Sequence, residues 1–263
     1  MTPRLRFVLP LALLALAGGA ALRAEEATKT LSVDDVIAKY LTARGGREKL
    51  AALKSARQTG KMAMGPGVEA PFTWEWKRPD KVRLEFTFQG MTGIQAFDGS
   101  TAWSVMPFMG KTTPEKMADQ DAKEAREMAD FEGPLVDYKQ KGHTVEYLGI
   151  EDADGTKAYK LKVTRASGGV DTIYIDTESN LTFKMVSKRE RNGQEAEFET
   201  DLGDYKEVGG ITLPFSMEMK PLGAPQGQTI TIEKVEFDGD LQDDHFAMPA
   251  APPAPAPAPP QAP

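Results

Sequence analysis

The chain has no cysteine in 263 residues. That absence excludes disulfides, thiolate metal sites and lipid attachment at a processed N-terminal cysteine. Histidine is nearly as scarce. His143 and His245 are the only two, both beside polar loop sequence, and they cannot build a histidine-rich zinc site. Also missing are a glycine-framed serine elbow, a phosphate-binding glycine loop and a serine three residues before a lysine. Asp152, Asp154 and Gly155 mimic the opening of a calcium loop without its later ligands, and they read as a hairpin turn. Acids on strands are abundant, but nothing selects the carboxylate pair of a glycosidase. A protein without catalytic residues, metal or other cofactor is the resulting expectation.

Long apolar runs are absent as well. The longest, Phe7 to Ala17, falls short of the about 20 residues a membrane-spanning helix needs. Arg4 and Arg6 precede it, and Gly18 to Ala21 supply small residues before Glu25 and Glu26. Residues 1–24 therefore read as a signal peptide cut near Ala24, which sends the mature chain to the periplasm; a retained N-terminal anchor is the alternative.

Basic residues are outnumbered, 32 Lys and Arg against 39 Asp and Glu. Loss of the leader removes Arg4, Arg6 and Arg23, for a mature charge of about −10. Such a surface opposes nucleic acid and anionic lipid headgroups as main partners. No basic run offsets it, because Lys77, Arg78, Lys81 and Arg83 sit among acids and apolar residues.

What is present organises itself as a short helical start, a long series of strands with one interruption, and a tail. Ser32 and Asp35 form a capping box, followed by Val36, Ile37, Tyr40 and Leu41 at helical spacing. Gly45 and Gly46 stop that helix, and a second runs from about Arg47 to Leu53. From Ser55 to Phe237 the period is two, with Phe72, Trp74 and Trp76, then Val82, Leu84, Phe86 and Phe88, alternating with polar residues. Tight turns are expected at Asp98-Gly99, Asp154-Gly155 and Asn192-Gly193. The pattern predicts a mainly β domain over residues 25–249, about eleven short antiparallel strands in one large curved sheet or barrel.

The interruption is a helix expected from Glu115 to Ala129, capped by Thr113 with Pro114 as its first residue. Its apolar side is thin, Ala118, Ala122, Ala125 and Ala129 flanked by Met117 and Met128, which suits either a mobile lid or a plug. Methionines recur in the strands, a composition that fits an adaptable apolar cavity and equally fits simple core filling. Residues 250–263 hold seven prolines in fourteen residues and form a disordered Pro/Ala tail.

The succession Trp76, Arg78-Pro79, Asp98-Gly99, Trp103 and Pro107-Phe108 resembles the periplasmic lipoprotein carrier family, and Phe246 to Pro249 is similar to that family's terminal strand. The resemblance implies an open half β-barrel whose concave apolar side, under covering helices, holds the acyl chains of a lipoprotein or another lipidic ligand. It also implies transient membrane contact, with an inner-membrane donor and an outer-membrane acceptor. Arg78 falls on the family position that tethers the lid helices, and Met117 and Met128 join it as lid or gate residues. Alternation places Trp74, Phe86, Phe97, Met106, Phe183 and Met217 as cavity lining. The double-glycine helical pair and the proline-alanine tail depart from the carrier pattern and are similar to carrier-like exported proteins. A periplasmic sensor or protein-interaction module on the same fold is the second expectation.

Overall fold

The computed structural model describes residues 31–65, 67–191 and 194–250. The expected leader, the expected Asn192-Gly193 turn and the Pro/Ala segment beyond Ala250 lie outside them.

Two helices open the described chain, α1 (Val33–Ala43) and α2 (Arg47–Ala52). The Ser32 hydroxyl accepts the Asp35 N–H at 3.1 Å, and the Asp35 carboxylate accepts the Ser32 N–H at 3.0 Å, so the capping box fixes where α1 begins. Ser32→Ala should lower stability by about 1 kcal/mol, read as a drop in thermal midpoint that Ser32→Asp largely avoids. Gly45 ends the helix at φ 108°, and a Cβ there would lie 2.1 Å from the Gly210 carbonyl oxygen. Only glycine fits that crossing.

Six strands follow: β1 (Ser55–Gly65), β2 (Val68–Lys77), β3 (Lys81–Phe88), β4 (Met91–Phe97), β5 (Ala102–Met106) and β6 (Lys111–Lys116). After α3 (Asp119–Met128) come β7 (Thr144–Ala153), β8 (Thr156–Thr164), β9 (Val170–Asp176), β10 (Thr182–Arg191) and β11 (Gln194–Gly203). A small hairpin, β12 (Lys206–Val208) with β13 (Ile211–Leu213), precedes β14 (Ser216–Pro221) and β15 (Gln228–Phe237). All but that hairpin join one antiparallel sheet of 13 strands, in the order β6-β5-β4-β3-β2-β1-β15-β14-β11-β10-β9-β8-β7. The sheet is therefore larger than the expected eleven strands. Its edges, β6 and β7, do not pair with each other, and the sheet stays open.

Helices and core lie on one face. Leu50 of α2 and Leu53 just after it pack with Met62, Phe72, Ile211, Leu213, Phe215 and Ile232, while Val36, Ile37 and Tyr40 of α1 pack with Tyr159, Leu161, Ile173 and Ile175. A third cluster sets Ala125 and Ala129 against Ala56, Trp76, Val82 and Phe97.

Two sequence expectations need correction. Thr113 and Pro114 do not start a helix; they belong to edge strand β6, and α3 begins only after Ala118. Pairing of β6 with β5 outweighs the local cap signal, and an edge is where a strand tolerates proline. The segment from Phe246 to Pro249 is not a strand either. It follows a single 3-10 turn (Asp243–His245) and crosses the outer face of the sheet, where the Trp103 indole donates to the Phe246 carbonyl at 2.9 Å and both side chains are fully buried. Capping an outward tryptophan with a phenylalanine removes both rings from water without adding a strand.

Candidate ligand-binding site

Strand pairing shows which residues share the helix-covered face. Phe72, Trp74 and Trp76 of β2 stand opposite Phe86, Leu84 and Val82 of β3, and Val82 stands opposite Phe97 of β4. Met217 faces Ile230 across β14 and β15 on that same side. Phe183 does not. A bulge between Thr182 and Lys184 turns its ring to the other face, where it lies 6.5 Å from Tyr174, so strict alternation fails at that residue.

Helix α3 crosses this face and has a cavity on each side. The smaller, about 310 Å³, is bordered by Leu84, Met106, Met109, Met117 and Met128, and so gathers three of the residues singled out from sequence. The larger, about 550 Å³, lies between the Arg78 end of β2, the other side of α3 and the turn after β8. Leu53, Trp76, Ala129 and Phe131 give it apolar walls, with the Trp76 and Phe131 rings 5.4 Å apart. Trp74, Phe86, Phe97 and Met217 border neither space and are packed into the clusters beneath. The Trp74 indole N–H is buried, and nothing in the structure accepts it.

Arg78 stands at the rim of the larger cavity with its guanidinium turned to the helices. It donates to the Leu53 carbonyl at 2.5 Å, to the Leu50 carbonyl at 3.0 Å and to the Glu132 carboxylate at 2.5 Å. One fork thus holds the C-terminal end of α2 and the segment after α3, because the flat guanidinium can serve several acceptors at once.

Helix α3 is fixed from two further sides. The Trp76 indole donates to the Met128 carbonyl at 2.8 Å. Glu127 reaches the opposite half of the sheet, where its carboxylate lies 3.2 Å from Arg189 and 3.6 Å from Arg165. Both arginines converge on Asp171, which is fully buried and lies 2.5 Å from Arg165, 2.8 Å from Arg189 and 2.7 Å from the Ser187 hydroxyl. No sequence motif announces this cluster; it forms only when β8, β9 and β10 pair.

Electrostatically the larger cavity departs from the chain as a whole. Seven Lys and Arg border it against four Asp and Glu, in a chain of net charge −7. Folding thus gathers a basic lining from residues that form no basic run in the sequence. Burial pushes the Asp130 carboxyl up from its ordinary range, a shift opposed by Lys141 at 2.5 Å. Burial, and then Arg165, lower the His143 imidazole, whose Nδ1 accepts the Ala166 N–H at 3.1 Å and so leaves the neutral ring's proton on Nε2. Among the described residues no group of three His, Asp or Glu converges as a metal site would require.

No family model matches the chain, and no curated protein matches it. Solved structures do. A candidate outer membrane lipoprotein-sorting protein domain from Vibrio parahaemolyticus is 12% identical, with a TM-score of 0.55 over 81% of this chain and 94% of its own. A LolA superfamily protein from Nitrosomonas europaea is 13% identical, with a TM-score of 0.53 over 83% of this chain and 98% of its own. The fold is LolA-like. At such identity the likeness is one of fold, and function must be argued from the site. Within the LolA-like fold, the helix-covered face, the two cavities beside α3 and the Arg78 fork supply that argument.

Proposed function

We propose that this chain is a non-enzymatic periplasmic carrier, holding the acyl chains of a lipoprotein or another lipidic ligand between its sheet and α3 for delivery from an inner-membrane donor towards an outer-membrane acceptor. One observation carries the reading: a cavity of about 550 Å³, walled by Leu53, Trp76, Ala129 and Phe131, lies beside a helix that polar contacts of Trp76 and Glu127, and of Arg78 to the segment after it, hold in place. That volume falls within the roughly 300–1,000 Å³ typical of small-molecule sites. In this reading the open sheet wraps the ligand as a half-barrel.

Capture needs no chemistry. Each methylene withdrawn from water contributes about 0.8 kcal/mol, offset in part by ordering costs. Release needs a movable cover, and α3 with its capping Ala129 fully buries little more than Ala125 and that alanine. Its position therefore rests on a few polar contacts, which a partner or a membrane surface can exchange.

Tryptophan fluorescence tests the reading directly, because Trp76 borders the cavity while Trp103 lies buried on the opposite face. Fatty acids brominated along the chain should quench a variant that keeps only Trp76 in a saturable manner. A variant that keeps only Trp103 should stay bright. Equal quenching of both, or of neither, would remove the cavity as the acyl site.

A further inference from the structure

The charges around the larger cavity do not cancel, and the residue of the cancellation has a sign. Of the lining carboxylates, Glu132 is paired by Arg78, Asp130 by Lys141, and Glu127 by Arg165 and Arg189. Lys54, Lys123 and Arg126 pair with no carboxylate among the described residues; Arg126 instead lies over the Phe97 ring at 5.4 Å. Against these three stands Asp80, the one lining carboxylate without an ion pair among the described residues. Three cations and one anion thus remain at the mouth of an apolar pocket.

The two sides of α3 account for the arrangement. Lys123, Arg126 and Glu127 recur at the spacing of one helical face and turn to this cavity, whereas Asp121, Glu124, Ala125 and Met128 border the smaller one. Lys54, just past the end of α2, borders the same cavity. An acidic chain has placed its spare positive charge where apolar walls of low dielectric concentrate its field.

We propose that this cavity takes an anionic amphiphile, an apolar chain ending in a phosphate or carboxylate, with the chain against Trp76 and Phe131 and the anion between Lys54, Lys123 and Arg126. The proposal rests on the carrier reading and deepens it by naming the class of cargo. Apolar walls alone admit any hydrocarbon. The unmatched cations favour one that carries negative charge, by attraction at the mouth and by discrimination against cationic or neutral competitors.

Calorimetric titration of the mature protein with dodecyl phosphate, dodecyl maltoside and inorganic phosphate, the two amphiphiles kept below micelle formation, separates the parts. Dodecyl phosphate should bind about tenfold tighter than dodecyl maltoside, with the gap shrinking as salt is raised. Inorganic phosphate should give no heat of binding. In the triple variant Lys54→Gln, Lys123→Gln, Arg126→Gln the two dodecyl ligands should bind alike, and unchanged maltoside affinity shows that the variant is folded. Equal affinities in the unaltered protein would overturn the anionic preference and leave the carrier reading intact. Inorganic phosphate binding as tightly as dodecyl phosphate would overturn the amphiphile and assign a free anion site. Failure of both dodecyl ligands to bind would remove the carrier reading and this inference with it.

Discussion

Replacing Asp171 with alanine should destabilise the protein by about 3–5 kcal/mol, the cost of breaking a buried ion pair from one side. Asp171 is fully buried and serves both Arg165 and Arg189, whose side chains are only 10% and 13% exposed. Without it, two guanidiniums share Glu127 in a low-dielectric setting, and the Ser187 hydroxyl loses its acceptor. For a domain of this size the thermal midpoint should fall by roughly 6–20 °C. Asp171→Asn keeps the shape and one acceptor, and should lie between. Glu127 also loses its ordered partners, so amide exchange in α3 should rise more than exchange in β3 or β4. A midpoint shift under about 2 °C would show that the cluster contributes little to the fold.

Arg78→Leu carries the second large effect, on closure more than on folding. Leucine keeps an apolar stem and removes all five donors, leaving the Leu50 and Leu53 carbonyls without their cation and the Glu132 carboxylate, 9% exposed, without a partner. Arg78 itself is 41% exposed, so water offsets part of the loss, and the closed arrangement should weaken by about 1–3 kcal/mol. Hydrogen exchange should accelerate across residues 47–53 and 129–136 while the strands stay protected. The double variant Arg78→Leu, Glu132→Leu removes the stranded carboxylate and should recover stability without recovering closure, because α2 still lacks its donor. Under the carrier reading, the single variant loads ligand at least as well as the parent and hands it on poorly. Unchanged exchange in both segments would show that the Arg78 fork holds nothing in place.

Sequence alone was legible where one local rule governs one outcome. The Ser32 and Asp35 capping box, the double glycine after α1 and the Asp98-Gly99 and Asp154-Gly155 turns each act within a few residues, and each is where the sequence places it. Period-two alternation likewise reveals a mainly β chain and the shared face of Trp74, Phe86 and Phe97. Signals failed where a distant partner decided. Pro114 reads as a helix start until β5 offers it a strand to pair with, and Phe183 reads as inward until a bulge adds one unpaired residue to the strand. The outer crossing of Phe246 depends on an outward Trp103 that alternation marks only as one more strand residue.

The larger cavity was the least legible feature, for a physical reason. Its basic rim is drawn from the end of α2, the end of β2, α3, the loop before β7 and the turn after β8, so no window of sequence contains a basic cluster. Net charge conceals it as well, since Glu127, Asp130 and Glu132 are spent on partners that only folding reveals. Arg78 was found by family resemblance, and its hydrogen bonds to Leu50 and Leu53 follow from the closeness of α2 to the end of β2.

The decisive measurement is native mass spectrometry of the protein purified without detergent from its own cells. A carrier should arrive partly occupied, with a bound mass that organic extraction releases and that fragments as an acylated molecule, and occupancy should fall when Trp76 and Phe131 are both replaced by serine. Protein that is uniformly unliganded, and that takes up no fatty-acyl probe afterwards, would contradict the carrier reading outright.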